Sequence, residues 1–132
     1  MWQPGEVLFP DVASEMVLRL RPMLAPDIKV AIDLTGWRRT QPSVQIARVG
    51  GKSVGLYDDA LIQIDVRSPV YDDCTDLMNL VRAKTRTMPL IVDWVKSVRE
   101  SSGVRWVPEP DDALPRMVTD FVVRCVGTQT QA

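Results

Sequence analysis

Ten prolines, at positions 4, 10, 22, 26, 42, 69, 89, 108, 110 and 115, cut this 132-residue chain into short segments. Proline has no backbone N–H and its ring clashes with the preceding helical turn. It therefore ends or bends a helix and stays out of central strands. Every regular element has to fit between these marks.

The first segment that fits is a helix. Asp11, after Phe9-Pro10, is placed to accept from the free N–H groups of a first turn. Val12, Met16, Val17, Leu20 and Leu24 then fall on one stripe at helical spacing. Pro22 lies inside the stripe and predicts a kink or an end near Leu20, and Pro26 closes the segment.

Strands follow at residues 28–32, at 44–49 after Pro42, and at 61–67. In the last of these Ile62, Ile64 and Val66 alternate with Gln63, Asp65 and Arg67, the period of a half-buried strand. Glycines at 50, 51 and 55 make residues 50–59 read as a hairpin connection. A second helix begins near Tyr71, with Val70, Cys74, Leu77, Met78, Val81, Thr85 and Met88 as its buried stripe. Asp72, Asp73 and Asp76 crowd its start and Arg82, Lys84 and Arg86 its end, the order that suits the helix dipole, before Pro89 stops it.

Beyond Pro89 the chain turns β again, at 91–98 and, after Ser101-Ser102-Gly103, at 104–107, where Trp106 alternates with Val104 as a core position would. Pro108, Pro110 and Pro115 exclude regular structure between them. Met117, Thr119, Phe121, Val123 and Cys125 line one face of a long final strand. The expectation is one α+β domain over residues 1–126 and a flexible polar tail over 127–132. Its order is α-β-β-β-α-β-β. Two layers result: a mainly antiparallel or mixed sheet of four to five strands, with two helices packed on one face.

Chemistry is harder to build from these residues. There is no histidine, the commonest acid/base group and metal ligand near neutral pH. Cys74 and Cys125 match no zinc or redox spacing and read as reduced, buried thiols. Gly50-Gly51-Lys52-Ser53 resembles the end of a phosphate-binding loop, but Ile46 stands where the first glycine belongs and no helix follows. The pairs Asp58-Asp59, Asp72-Asp73 and Asp111-Asp112 lack the alternating spacing of a calcium loop and read as solvated carboxylates. These features predict a protein that is not an enzyme and holds neither metal nor cofactor. A net charge of −1 provides no overall attraction to nucleic acid or anionic membrane. No apolar run reaches the length of a membrane span, and residues 1–6 lack the basic and apolar regions of a secretory signal. Trp37-Arg38-Arg39, in the polar connection between two strands, has the composition of an interface anchor. It reads equally well as a tryptophan folded onto the core rim with its arginines in water.

Four stretches, taken in order, resemble the tail terminator (minor tail) proteins of siphophages, especially those infecting actinobacteria. They are Phe9-Pro10-Asp11-Val12, Arg48-Val49-Gly50-Gly51, Asp59-Ala60 leading into Ile62-Gln63-Ile64-Asp65-Val66, and Trp106-Val107-Pro108-Glu109-Pro110 ahead of Pro115-Arg116. The resemblance runs from about residue 7 to 126 and rests on scaffold positions rather than catalytic ones. It implies a ring, typically a homohexamer, in the virion at the head-proximal end of the tail, assembled in the host cytoplasm. Such a ring caps the major tail protein tube, ends its growth and offers its other face to head-completion and neck proteins. DNA passes through its lumen without specific binding, which a near-neutral chain suits. Pro22 and the length of residues 90–100 depart from the family pattern. A head-closure or neck connector protein, and a cytosolic α+β adaptor or ligand-binding domain, stay open as alternatives.

Overall fold

The computed structural model describes residues 6–129. A short strand β1 (Val7–Leu8) precedes helix α1 (Val12–Leu20), whose N-cap Asp11 accepts from the Ser14 backbone N–H at 3.2 Å and its hydroxyl at 3.0 Å. The helix ends at Leu20, and Pro22 sits in a single 3-10 turn, Arg21–Met23, because its missing N–H is harmless at the start of a turn. Strands β2 (Lys29–Ala31), β3 (Ser43–Val54) and β4 (Tyr57–Arg67) follow, then α2 (Tyr71–Arg86) and the short α3 (Met88–Ile91). Strands β5 (Val95–Trp106), β6 (Arg116–Val126) and β7 (Thr128–Gln129) complete the chain.

The architecture is α+β. Five strands form a mixed sheet in the order β2-β3-β4-β6-β5, with β2 parallel to β3 and all other neighbours antiparallel. The parallel pair arises because the chain between β2 and β3 is a crossover and not a tight turn. β7 pairs with β1 in a separate two-stranded ribbon, so the polar tail is not loose from residue 127; Thr128 and Gln129 are tied to Leu8 and Val7. Residues 130–132 of that expected tail lie outside the described residues.

Three further expectations are corrected by the observed elements. Residues 50–59 are mostly strand and not connection: β3 runs on to Val54, β4 starts at Tyr57, and the turn is Gly55-Leu56 with Gly55 at φ +60°. The extra length is absorbed by a bulge between Arg48 and Gly50. Residues 95–106 form one irregular strand instead of two, because β6 pairs with it on both sides of Ser101. Residues 88–91 are helical, since Pro89 occupies the first turn of α3, where its missing N–H costs nothing.

Val44, Ile46, Ala60, Ile62, Ile64, Val66, Met117, Phe121 and Val123 all point to one sheet face and are buried. They form a single core with Val12, Met16, Val17 and Leu20 of α1 and Cys74, Leu77, Met78 and Val81 of α2. Both long helices therefore cover the same face. The opposite face carries Gln45, Leu61, Gln63, Asp65, Asp120, Val122 and Arg124, and among the described residues no helix covers it.

Candidate assembly interface

Strand register sorts the polar side chains into separate groups. At one end of the helix-free face Asp65 accepts from Arg116 at 2.6 Å and from Gln63 at 2.9 Å, and Arg67 lies 3.5 Å away. Arg67 also donates to Glu109 at 2.5 Å and to Gln45 at 3.1 Å. Asp65 and Arg67 are buried there beneath two loops, residues 32–42 and 107–115. Breaking one partner of so enclosed a pair leaves an uncompensated charge and is destabilising.

Trp37 belongs to that enclosure. Its indole donates to the Gln41 carbonyl at 2.8 Å, and the guanidinium groups of Arg67 and Arg39 each lie 5.8 Å from its ring centre. Arg39 bridges to Asp112 at 3.1 Å and so joins the two loops. Arg38 is exposed and lines a shallow depression with Asp27, Thr40, Gln41 and Pro42. The Trp37-Arg38-Arg39 triplet is thus split: both arginines reach solvent, but Trp37 and Arg39 also brace the loops.

At the other end of the same face lies a groove of about 400 Å³ floored by Gly51, Leu61 and Val122 and flanked by Lys52, Asp59, Arg99 and Ser101. Arg124 grips Asp59 with two bonds of 2.7 and 2.9 Å and holds its carboxyl below the usual range. Lys52 and Arg99 also act on Asp59 through charge alone and have no ion-pair partner among the described residues. Three cations surround one carboxylate, so the groove is locally basic in a chain of net charge −1. The glycine is required: Gly51 has φ +109°, and a Cβ there would meet the Asp59 carbonyl at 1.9 Å.

No family model matches the chain, and no curated protein matches it. On the helix side Asp58 is not the solvated carboxylate expected of the Asp58-Asp59 pair. It is buried, takes two bonds from Arg48, and is held below the ordinary aspartate range by that guanidinium. Glu100 likewise accepts from Arg82, Arg86 and Thr119, and Arg82 is the largest cause of its lowered pKa. Both thiols are free and buried; desolvation raises Cys74, and raises Cys125 to about 11 with the Asp58 charge adding to it. Each thiol donates to a strand carbonyl, Cys74 to Val66 and Cys125 to Asp58. Among the described residues no group of His, Cys, Asp or Glu is arranged to hold a metal.

A third surface lies where α2 begins. Trp106 is 48% exposed, against the expectation that it is core, because it ends an edge strand with no sheet neighbour on its outer side. Its ring stands edge-on to Tyr71, 5.1 Å between centres. Val70, expected on the buried stripe, is also exposed, since it precedes the first turn of α2. Asp72, Asp73 and Asp76 are exposed beside them and make no ion pair among the described residues. These carboxylates are legible in the sequence as a helix start, whereas the Lys52, Arg99 and Arg124 cluster is not marked by any single local pattern. Alternation in β4 and β6 puts Asp59 and Arg124 on one face, and continuing the β3 alternation through its glycines would have added Lys52.

Proposed function

We propose that this chain is a structural virion protein of a tailed phage: a tail terminator that closes the tail tube as a ring and presents the joint to the head. The observation that carries this reading is a five-stranded sheet clad by helices on one face only. Its other face, with the basic groove, and its long edge strand β5 are left for neighbours. Support for a role through contact, and not through bond-making, comes from the titratable groups. Asp58, Asp59 and Glu100 are tied as ions to arginines, and both thiols are pushed away from their reactive form. The four stretches behind the family resemblance fall at structural joints: the start of α1, the β3 bulge, the body of β4, and the loop leading to β6.

In this reading the partners are other copies of the chain, the major tail protein and the head-completion proteins, with DNA passing through the lumen. The loop carrying Trp37, Arg38 and Arg39 contributes a docking face. Arg38 makes contact there, while Trp37 and Arg39 hold the loop in shape. A phage deleted for this protein is expected to grow overlong tails, seen by electron microscopy. Tails of normal length that fail to join heads would instead assign the chain to the head-side connector.

A further inference from the structure

We propose that the basic groove on the helix-free face receives the acidic, aromatic start of α2 from a second copy of this chain. The inference rests on the ring reading and names the two surfaces that meet in it.

Each surface supplies what the other lacks. The groove offers an apolar floor, Leu61 and Val122, beside the unpaired cations Lys52 and Arg99. The α2 start offers the exposed pair Tyr71 and Trp106 beside the unpaired carboxylates Asp73 and Asp76. Aromatic side chains seated in a desolvated pocket and ringed by charge form the usual energetic centre of a protein interface. Opposite charges at its rim fix orientation and partner choice.

The two surfaces cannot meet within one chain. Trp106 pairs with Met117 on the helix side of the sheet, whereas Asp59 pairs with Arg124 on the other side. Along β6 those rows are separated by seven residues, roughly 23 Å at strand spacing. A contact between unlike surfaces on opposite layers is heterologous. It does not stop at two copies but propagates head to tail, and closes into a ring when the rotation per step allows. Patches on opposite faces of one sheet favour a ring over a two-fold dimer, in which both would have to turn toward the same partner.

The test is a charge exchange followed by mass measurement. One variant carries Lys52→Glu and Arg99→Glu, a second carries Asp73→Lys and Asp76→Lys, and a third carries all four. Each of the first two is expected to assemble at least tenfold more weakly than the unaltered chain. Mixing them restores the oligomer, since every junction in an alternating ring again joins opposite charges, and the fourfold variant assembles alone. Circular dichroism checks folding. Should a reversed variant unfold, Lys52→Gln with Arg99→Gln replaces it and is expected to weaken assembly in the same direction.

An unaltered chain that forms rings, with both reversed variants keeping the full ring mass, would overturn the pairing and leave the ring reading standing. An unaltered chain that remains monomeric alone and with isolated tail tubes would remove both. If the Lys52 and Arg99 reversal leaves assembly intact but abolishes salt-sensitive binding of a DNA duplex, the groove faces nucleic acid and the pairing fails.

Discussion

Glu100 shows how one residue can tie the helix layer to the sheet. It sits on edge strand β5 and accepts from Arg82 at 2.7 Å and Arg86 at 2.9 Å on α2, and from Thr119 at 2.5 Å on β6. These donors lower its pKa below the ordinary 4.5, Arg82 most of all. Between the folded and the unfolded value the unfolded chain binds more protons, so stability rises with pH across that window. The contribution is complete above about 4.5 and is lost as pH falls through the lower folded value. Glu100→Gln removes the titrating group. Urea unfolding of both proteins from neutral pH downward is expected to show the variant less stable near neutrality, with the gap narrowing below pH 4.5. Parallel curves over the whole range would mean that the carboxylate is not held in this way. None of this was readable from the sequence, where Glu100 is one charge in a mixed stretch. Its partners lie 14 to 19 positions away and are brought to it only by the packing of α2 on β5 and β6.

Elements were legible where one side is buried and obscure where both are wet. α1 and α2 each carry an apolar stripe at helical spacing, and their bounds follow from Asp11, Pro22 and Pro89. β4 and β6 sit inside the sheet, so alternation marks them clearly. β5 is an edge strand with only Val95 fully buried, and pairing with β6, which no local pattern records, carries it through Ser101-Ser102-Gly103. The second half of β3 hides for the same reason: β2 covers only Ser43–Gln45, and the rest has a free edge with glycines in it. Those glycines are not equivalent. Gly51→Ala forces φ +109° on a side chain and drives Cβ into the Asp59 carbonyl. It is expected to lose at least about 1–3 kcal/mol, the usual cost of a strained backbone alone. Gly103 has open space around it and no positive φ, so Gly103→Ala is expected to stay within about 0.5 kcal/mol of the unaltered chain. Chemical denaturation of the pair measures both. A Gly51→Ala protein as stable as its Gly103→Ala counterpart would contradict the positive φ of Gly51 and its close approach to the Asp59 carbonyl.

For the molecule as a whole, the fold class was legible because it depends on the count and order of elements, while the candidate interface was not. Lys52, Arg99 and Arg124 come from three strands, and the groove exists only once β3, β4, β6 and β5 are placed side by side. The same topology has a thermodynamic consequence. β6 lies between β4 and β5, so the pairing of β4 with β6 joins Tyr57 to Val126 across α2, α3 and β5. One continuous core draws on α1, α2 and every strand of the main sheet. No part of it can be removed while the rest stays covered, so unfolding is expected as one transition. If copies then join through surfaces that exist only in the folded chain, association draws the equilibrium toward the folded state. A partner present at a hundred times its Kd adds about 2.7 kcal/mol. The thermal midpoint is therefore expected to climb with protein concentration for the unaltered chain. For a chain carrying Lys52→Glu and Arg99→Glu it should remain nearly constant, because those substitutions lie on exposed positions outside the core. Scanning calorimetry over a hundredfold concentration range separates these cases. A midpoint that does not move for the unaltered chain would show that the free chain does not associate over that concentration range.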